Sequence, residues 1–211
     1  MAVSFATLPE WLNYIEGQHV RAIDLSLDRL AQVRKRLRAS TSAVVITVGG
    51  TNGKGSTCAM LESVLSAAGY RTGVYASPHL LHYNERVRIE GRFGSDEALC
   101  AGFAAVEAVR EDIPLTYFEY GTLAAWWLFC QSQLNVLILE VGLGGRFDAV
   151  NLFESDCAIV TGIALDHMDF LGPDREAIGF EKAGIYRAGK PAICGDAEPP
   201  SSLLEHARKI G

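Results

Sequence analysis

The sequence predicts an α/β protein in which a mostly parallel sheet is covered by helices on both faces. Apolar runs rich in β-branched residues, such as 43–48, alternate along the chain with segments whose apolar residues recur at helical spacing. The runs are apolar throughout, as is typical of strands that are buried on both faces. A glycine-rich turn joins the first run to a helical pattern, which is how a βαβ unit begins.

Two amphipathic helical patterns precede the first strand, one opened by Pro9 and the other spanning 25–38. After the glycine-rich turn, residues 58–68 predict a helix that Gly69 ends. The spacing of the apolar residues predicts that the buried side of this helix carries Met60, Leu61, Val64 and Leu65.

The rest of the chain continues the alternation of strands and helices. In order, the sequence predicts a strand at 72–76, a loop with a short strand at 77–94, helices at 96–110 and 120–133, strands at 136–139, 158–160 and 191–193, and a last helix after 202. Ligands gather at the carboxyl ends of parallel strands. The residues expected there are Lys54, Ser77, Glu140, Asp166 and His167.

Composition limits the class of protein. The 211 residues are 49% hydrophobic, enough for one large domain or a domain with an appendage. A net charge of -6 gives no basic face, so nucleic acid is not expected as a partner. Five widely spaced cysteines without a Cys-x-x-Cys pair favour a reducing compartment. With no leader pattern and no apolar run of membrane length, a cytoplasmic protein without membrane contacts is expected.

Residues 49–57, Gly-Gly-Thr-Asn-Gly-Lys-Gly-Ser-Thr, predict a loop that binds the phosphates of a nucleotide. Glycines allow the backbone to turn its N–H groups inward, the following helix presents its positive end, and Lys54 adds a cation. The motif is a variant, because two residues separate Gly50 from Gly53 instead of four, and Gly55 precedes Ser56. The alternative is a turn that only closes the fold.

Acidic and basic residues follow the predicted strand at 136–139. Because magnesium that bridges phosphates prefers carboxylate oxygen, Glu140 is predicted as a magnesium ligand, with capping of the next loop as the alternative. In the glycine-rich segment 142–148, Arg146 can hold a phosphate or carboxylate with two donors, or pair with Asp148 in a tight turn.

The histidines and one lysine receive weaker assignments from spacing alone. Imidazole usually serves transition metals, so His167 is predicted to be an acid–base group or a phosphate contact and not a metal ligand. Lys182 is predicted to be a solvated lysine. Surface or capping roles are expected for His19, His79 and His82.

Four separated motifs, at 50–56, 76–80, 139–146 and 165–167, together resemble folylpolyglutamate synthase and dihydrofolate synthase, which belong with the Mur ligases. The resemblance covers nearly the whole chain and is greatest to the bifunctional bacterial enzymes. It implies an ATP-dependent carbon–nitrogen ligase. ATP would phosphorylate the carboxylate of dihydropteroate or folate, and the amine of glutamate would attack the acyl phosphate, giving dihydrofolate or γ-linked polyglutamates.

The resemblance also implies roles for individual residues. It assigns catalysis to Lys54, His167 and Lys182, and two magnesium sites to Ser77, Glu140, His167 and Lys182, the last carboxylated by carbon dioxide. It assigns ATP contacts to Gly50, Thr51, Asn52, Gly53, Lys54, Gly55, Ser56 and Thr57. It assigns substrate binding to Gly17, Gln18, His19, Val20, Thr116, Tyr117, Phe118, Glu119, Arg146 and Phe147.

Members of this family continue into further elements and a second, C-terminal α/β domain. The resemblance therefore predicts that residues 1–211 form a truncated N-terminal ATP-binding domain that lacks the C-terminal ligase domain. Such a chain would not turn over alone, because the nucleotide is held from one side. Rival predictions are a small-molecule kinase or NTPase, a monofunctional folylpolyglutamate synthase, and a non-catalytic nucleotide- or pterin-binding module. The expected partners are small-molecule substrates, and a monomer is expected.

Overall fold

A seven-stranded sheet forms the centre of the structure, a computed structural model that describes residues 3 and 5–211. The strands are β1 (Val44–Gly49), β2 (Thr72–Tyr75), β3 (Val87–Ile89), β4 (Arg92–Phe93), β5 (Val136–Glu140), β6 (Cys157–Val160) and β7 (Ala192–Cys194). They lie in the order β4-β3-β2-β5-β1-β6-β7. All neighbours from β2 to β7 are parallel, while β3 and β4 are antiparallel, so the mostly parallel sheet is confirmed.

Helices cover both faces of this sheet. They are α1 (Leu8–Glu16), α2 (Asp28–Leu37), α3 (Lys54–Ala67), α4 (Asp96–Arg110), α5 (Tyr117–Gln131), α6 (Met168–Leu171), α7 (Arg175–Ala183) and α8 (Ser201–Ile210). Along β5, Val136 and Ile138 belong to a core that α3 closes, whereas Leu137 and Leu139 belong to the larger core under the other helices. Successive side chains of a strand point to opposite faces, so these are two cores on two faces.

The helix after the glycine-rich loop differs from its prediction. It begins at Lys54, so the loop feeds directly into the helix. Met60 and Val64 are about 70% exposed, and the prediction that they are buried is wrong. Only a narrow stripe of Cys58, Leu61 and Leu65 packs against the sheet, because α3 lies on this face with no second helix packed over its outer side in the part of the chain that the structure describes.

Two further boundaries have identifiable local causes. α5 begins at Tyr117 and not at 120, because Thr116 and Glu119 form a capping box. The short strand expected inside 77–94 is a hairpin of β3 and β4, turned by Glu90 and Gly91, both with positive φ. Over residues 3 and 5–211, no helix is long and apolar enough to cross a membrane.

Candidate functional site

A cavity of about 580 Å³ opens at the carboxyl ends of the parallel strands. It lies beside the loop after β1, the end of β2, the loop after β5 and the segment after β6. Of the residues predicted to bind ligands, those that line it are His19, Lys54, Ser77, Thr116, Tyr117, Phe118, Glu119, Phe147 and His167. A smaller recess beside it is lined by Gly50, Lys54, His167 and Lys182, among others.

The loop between β1 and α3 is fixed in place by contacts with the chain that follows β6. Gly50 has φ 138°, and a Cβ atom there would collide with Oγ1 of Thr161. Thr51 N donates to Gly162 O at 2.7 Å, and Thr161 Oγ1 donates to Asn52 O at 2.7 Å. The first turn of α3 has no intrahelical acceptors for its N–H groups, so it presents donors and positive charge at the site.

Two lysines converge on one carbonyl of this loop. Lys54 Nζ donates to Gly50 O at 3.1 Å and to Thr51 O at 3.2 Å, and Lys182 Nζ donates to the same Gly50 O at 2.9 Å. Lys182 is only 4% exposed. Burial, followed by the charge of Lys54, lowers the pKa of Lys182 to about 8. The interpretation of Lys182 as a solvated lysine is therefore wrong, and the residue is part of the site.

Glu140 ends β5 underneath the start of α3. Its Oε2 accepts a hydrogen bond from Ser77 N at 3.1 Å, and a Cβ atom on Gly55 would lie 3.8 Å from its Oε1. Burial raises the pKa of Glu140, which the Ser77 N–H group and Lys54 oppose. No ion pair engages Glu140 within residues 3 and 5–211. A buried carboxylate next to a serine is a donor set that fits a magnesium ion.

His167 lines the cavity and the recess together with Lys54. Its backbone is left-handed, with φ 48°, and its Nε2 lies 3.7 Å from Oδ2 of Asp166. It lines the cavity together with Ser77 and the recess together with Lys182. The described residues contain no group of three or more His, Cys, Asp or Glu side chains close enough to hold a metal ion. Among the predicted ligands, Ser77 contacts Glu140 through its N–H group, and His167 shares one pocket with Ser77 and the other with Lys182.

Aromatic side chains form the other part of the cavity. Phe118 and Phe147 line it, and the ring of Phe118 packs so closely on Gly142 that a Cβ atom there would lie 2.6 Å from the ring. Thr116 and Glu119, which cap α5, place this wall. Glu119 is buried and accepts from Arg29 Nη2 at 2.9 Å.

Several predicted substrate residues lie outside the cavity wall. Gly17, Gln18 and Val20 do not line it: Val20 is fully exposed, and Gln18 Oε1 accepts from Arg110 Nη2 at 2.9 Å. Arg146 does not line it either. Its Nη2 lies 2.6 Å from Glu181 Oε1, and its guanidinium stacks on the rings of Phe147 and Phe180. The Arg146–Asp148 pair that was the alternative is absent from the described residues, because Asp148 accepts backbone N–H groups instead.

Parts of the wall that sequence analysis did not predict to bind ligands include 21–25, Arg86 and Asp148. Asp148 Oδ2 accepts from Leu143 N at 2.8 Å and Oδ1 from Val150 N at 3.0 Å, and burial raises the pKa of Asp148 to about 6. Its position before the 3₁₀ turn Ala149–Leu152 is a capping signal that sequence reasoning can use. Arg86 and 21–25 carry no such signal, since only long-range packing brings them here.

The fold and the site together define a phosphate-loop domain of the Mur ligase type. The model of the Mur ligase middle domain matches residues 48–199, from the end of β1 past β7. This match covers the loop, Glu140, His167 and Lys182.

Relatives with high sequence identity indicate which family of Mur ligase-type proteins the chain belongs to. The Escherichia coli (strain K12) dihydrofolate synthase/folylpolyglutamate synthase is 58% identical over 97% of this chain and 49% of its own length. The structure of E. coli FolC in complex with DHPP and ADP superposes with a TM-score of 0.96 at 57% identity, over 98% of this chain and 50% of that one. A bifunctional synthase with Mn, AMPPNP and L-glutamate bound gives 0.93 at 52% identity, over 100% and 52%. The chain belongs to the dihydrofolate synthase/folylpolyglutamate synthase family, and it spans about half the length of the curated relatives that it matches.

Proposed function

We propose that this chain is the nucleotide- and pterin-binding part of an ATP-dependent carbon–nitrogen ligase. The ligase would add L-glutamate to dihydropteroate, giving dihydrofolate, and to folates, giving γ-linked polyglutamates. The observation that carries the proposal is that one cavity joins Lys54, Ser77 and His167 to Phe118 and Phe147. Relatives of the same fold hold ADP with DHPP, or AMPPNP with glutamate and manganese, which supports a nucleotide-binding part and a pterin-binding part in one cavity.

The phosphate loop would hold the nucleotide. The N–H groups of 52–56 and the Lys54 ammonium would bind its phosphates, and Lys54 would leave the carbonyls of Gly50 and Thr51 to do so. Ser77 and Glu140 would hold one magnesium ion, and His167 with Lys182 a second. Magnesium, when bound, supplies positive charge that stabilises the phosphoryl group during transfer. Lys54 adds to that charge on the protein side.

The aromatic wall would hold the pterin. A flat heterocycle buries its faces well against Phe118 and Phe147, and a cavity of about 580 Å³ has the size of a drug-like ligand site. The carboxylate of the substrate would then extend toward Ser77 and Lys54. A carboxylate is a poor acyl donor until one of its oxygens leaves as phosphate, so this arrangement suits transfer from ATP followed by attack of an amine.

Carboxylation of Lys182 is part of the proposal. A pKa of about 8 leaves a fraction of neutral amine at pH 7.5, in a buried position that excludes water. The nitrogen of the neutral amine would bond to the carbon of CO₂ and release one proton, which gives a carbamate anion able to hold a metal. Incubation with ¹³C-labelled CO₂ should give a carbamate resonance in the chain and none in Lys182→Ala. Absence of a carbamate resonance from the unaltered chain would contradict the carboxylation of Lys182 and leave the rest of the proposed function standing.

Calorimetric titration tests the proposed function. We expect the 211-residue chain to bind both Mg–ATP and dihydropteroate. Because the chain spans half of its relatives' length, we expect no glutamate-dependent ATP hydrolysis from it. Failure to bind dihydropteroate would refute the pterin assignment, and turnover by the chain alone would refute its assignment as an incomplete ligase. Phosphate transfer that needs no amino acid would favour a kinase.

A further inference from the structure

Arg86 occupies a fixed place in the cavity wall beside the end of β2. It closes the 3₁₀ turn Tyr83–Arg86, and its carbonyl accepts from Ala76 N at 2.9 Å, one residue before Ser77. Its side chain is half-buried and lines the same cavity as Lys54, Ser77 and Tyr117. The backbone therefore places this guanidinium next to a predicted magnesium ligand.

The contacts of the Arg86 guanidinium are to neutral groups. Its Nε donates to His79 Nδ1 at 2.8 Å, and its Cζ lies 5.5 Å from the ring centroid of Tyr83 and 5.7 Å from that of Tyr117. Because His79 Nδ1 accepts this hydrogen bond, the imidazole contributes a lone pair to Arg86 and no negative charge. No carboxylate among residues 3 and 5–211 forms an ion pair with Arg86.

The buried and half-buried acids near Arg86 are occupied elsewhere, and the exposed Glu16, which also lines the cavity, forms no ion pair with any residue among 3 and 5–211. The adjacent Glu85 accepts from the N–H groups of Leu80, Leu81 and His82. Asp24 and Glu119, which line the cavity, both pair with Arg29. The remaining buried acid of the wall, Asp148, accepts backbone N–H groups.

The other cations of the wall differ from Arg86. Lys54 donates to two loop carbonyls, and Arg21 is exposed to solvent. Arg86 is thus a half-buried cation with which no carboxylate of the described wall forms an ion pair. Taking a charge partly out of water without a partner is unfavourable, so the cavity is complementary to an anion at this point. A guanidinium binds a carboxylate through two parallel hydrogen bonds, which fits a planar anion better than a point charge does.

We propose that Arg86 binds the carboxylate of the pteroate-type substrate and selects for ligands that carry it. The inference rests on the proposed function. The carboxylate fits better than a nucleotide phosphate, because Arg86 lies among Tyr83 and Tyr117 and does not line the recess of Gly50 and Lys182. Held by Arg86 beside Ser77, the carboxylate would lie where the phosphate loop can reach it.

Paired ligands and matched variants test the proposal by calorimetry of the full chain. The ligands are dihydropteroate and its carboxamide, which differ in the charge of one group. Arg86→Gln should lower the affinity for dihydropteroate ~10- to ~100-fold, the loss expected for a charge-assisted bidentate contact, and leave the carboxamide within ~3-fold. Arg86→Lys keeps the charge but loses the fork, so its affinity for dihydropteroate should be intermediate.

The control is Arg92→Gln, which removes the same charge from the exposed strand β4 and should change neither affinity. Equal affinity of Arg86→Gln and the unaltered chain for dihydropteroate would overturn the proposal. So would an equal loss for both ligands, since that indicates a structural role. If the unaltered chain binds neither ligand, the proposed function fails and this inference with it, whereas the first two outcomes leave the proposed function standing.

Discussion

At the scale of single residues, the site depends on positions where the backbone leaves no choice of side chain. Gly50 adopts φ 138° against Thr161, and its carbonyl receives both Lys54 and Lys182. Lys182 is buried because Gly145 lets the loop after β5 approach α7: a Cβ atom on Gly145 would lie 2.8 Å from Glu181 O. The glycines at 50 and 145 therefore allow the close approaches that fix the positions of Lys54 and Lys182.

Gly50→Ala should be more destabilising than an alanine at another glycine of positive φ. Gly69 is the matched control, because it has φ 86° and no atom within 4 Å of an added Cβ, so it carries the conformational cost without a collision. We expect Gly69→Ala to cost about 1 kcal/mol of unfolding free energy and Gly50→Ala roughly 2 to 4 kcal/mol, measured by denaturant unfolding. Equal losses would contradict the packing of Thr161 on the loop.

Lys182 should make stability depend on pH. The unfolded lysine keeps its proton up to ~10.4, whereas the folded lysine has a pKa of about 8. Between these values the unfolded state binds more protons, so the stability contributed by this residue rises with pH, by roughly 2 to 3 kcal/mol at most. The unfolding free energy of the unaltered chain minus that of Lys182→Met, in CO₂-free buffer, should therefore increase from pH 8 to pH 10. A difference that stays constant would contradict the burial of a titrating amine.

At the scale of elements, Arg29 joins two parts of the cavity wall, the segment 21–25 and the beginning of α5. It lies in the first turn of α2, pairs with Asp24 at 3.2 Å and Glu119 at 2.9 Å, and donates to Pro114 O at 2.7 Å. Glu119 also caps α5 through Thr116 N at 2.8 Å. One guanidinium thus ties α2 and the segment 21–25 to the beginning of α5.

Removal of Arg29 should therefore destabilise the fold well beyond the loss of a surface ion pair. We expect Arg29→Met to cost roughly 2 to 4 kcal/mol, because Glu119 stays buried without its partner. Lys190→Met is the control: it breaks the exposed pair with Asp156 and should cost about 0 to 1 kcal/mol. Adding Glu119→Gln to Arg29→Met should restore part of the loss in denaturant unfolding. No restoration would show that the charge of Glu119 is not the cause.

Elements with strong local signals were predictable from the sequence, and those set by distant contacts were not. The loop at Gly50–Gly53, the strand ending on Glu140 and the helix at 96–110 follow from glycine placement and apolar period, and the structure confirms them. The exposure of Met60 and Val64 could not be predicted, because their spacing is that of residues on the buried side of a helix. They are exposed because no second layer of structure covers them, which the local sequence does not indicate. The pairing of Arg146 with Glu181 did not follow either, since the two residues are 35 positions apart in the sequence.

At the scale of the whole molecule, the strand order explains why the site lies where it does. From β1 the chain crosses through α3 to β2 on one side, and from β5 it crosses past β1 to β6 on the other. Such a switch in direction opens a crevice between the carboxyl ends of two neighbouring strands, here β1 and β5. The register pairs Val48 with Glu140, so the carboxylate arrives beside the phosphate loop.

The central claim is that one crevice binds a nucleotide at Lys54 and a pterin at Phe147, in adjacent parts that can be separated by substitution. Crossed calorimetric titrations with Lys54→Met and Phe147→Ala test it most directly. Lys54→Met should weaken Mg–ATP binding at least ~10-fold and keep dihydropteroate binding, and Phe147→Ala should do the reverse. If both variants keep both affinities, or if saturating Mg–ATP excludes dihydropteroate from the unaltered chain, the account is contradicted.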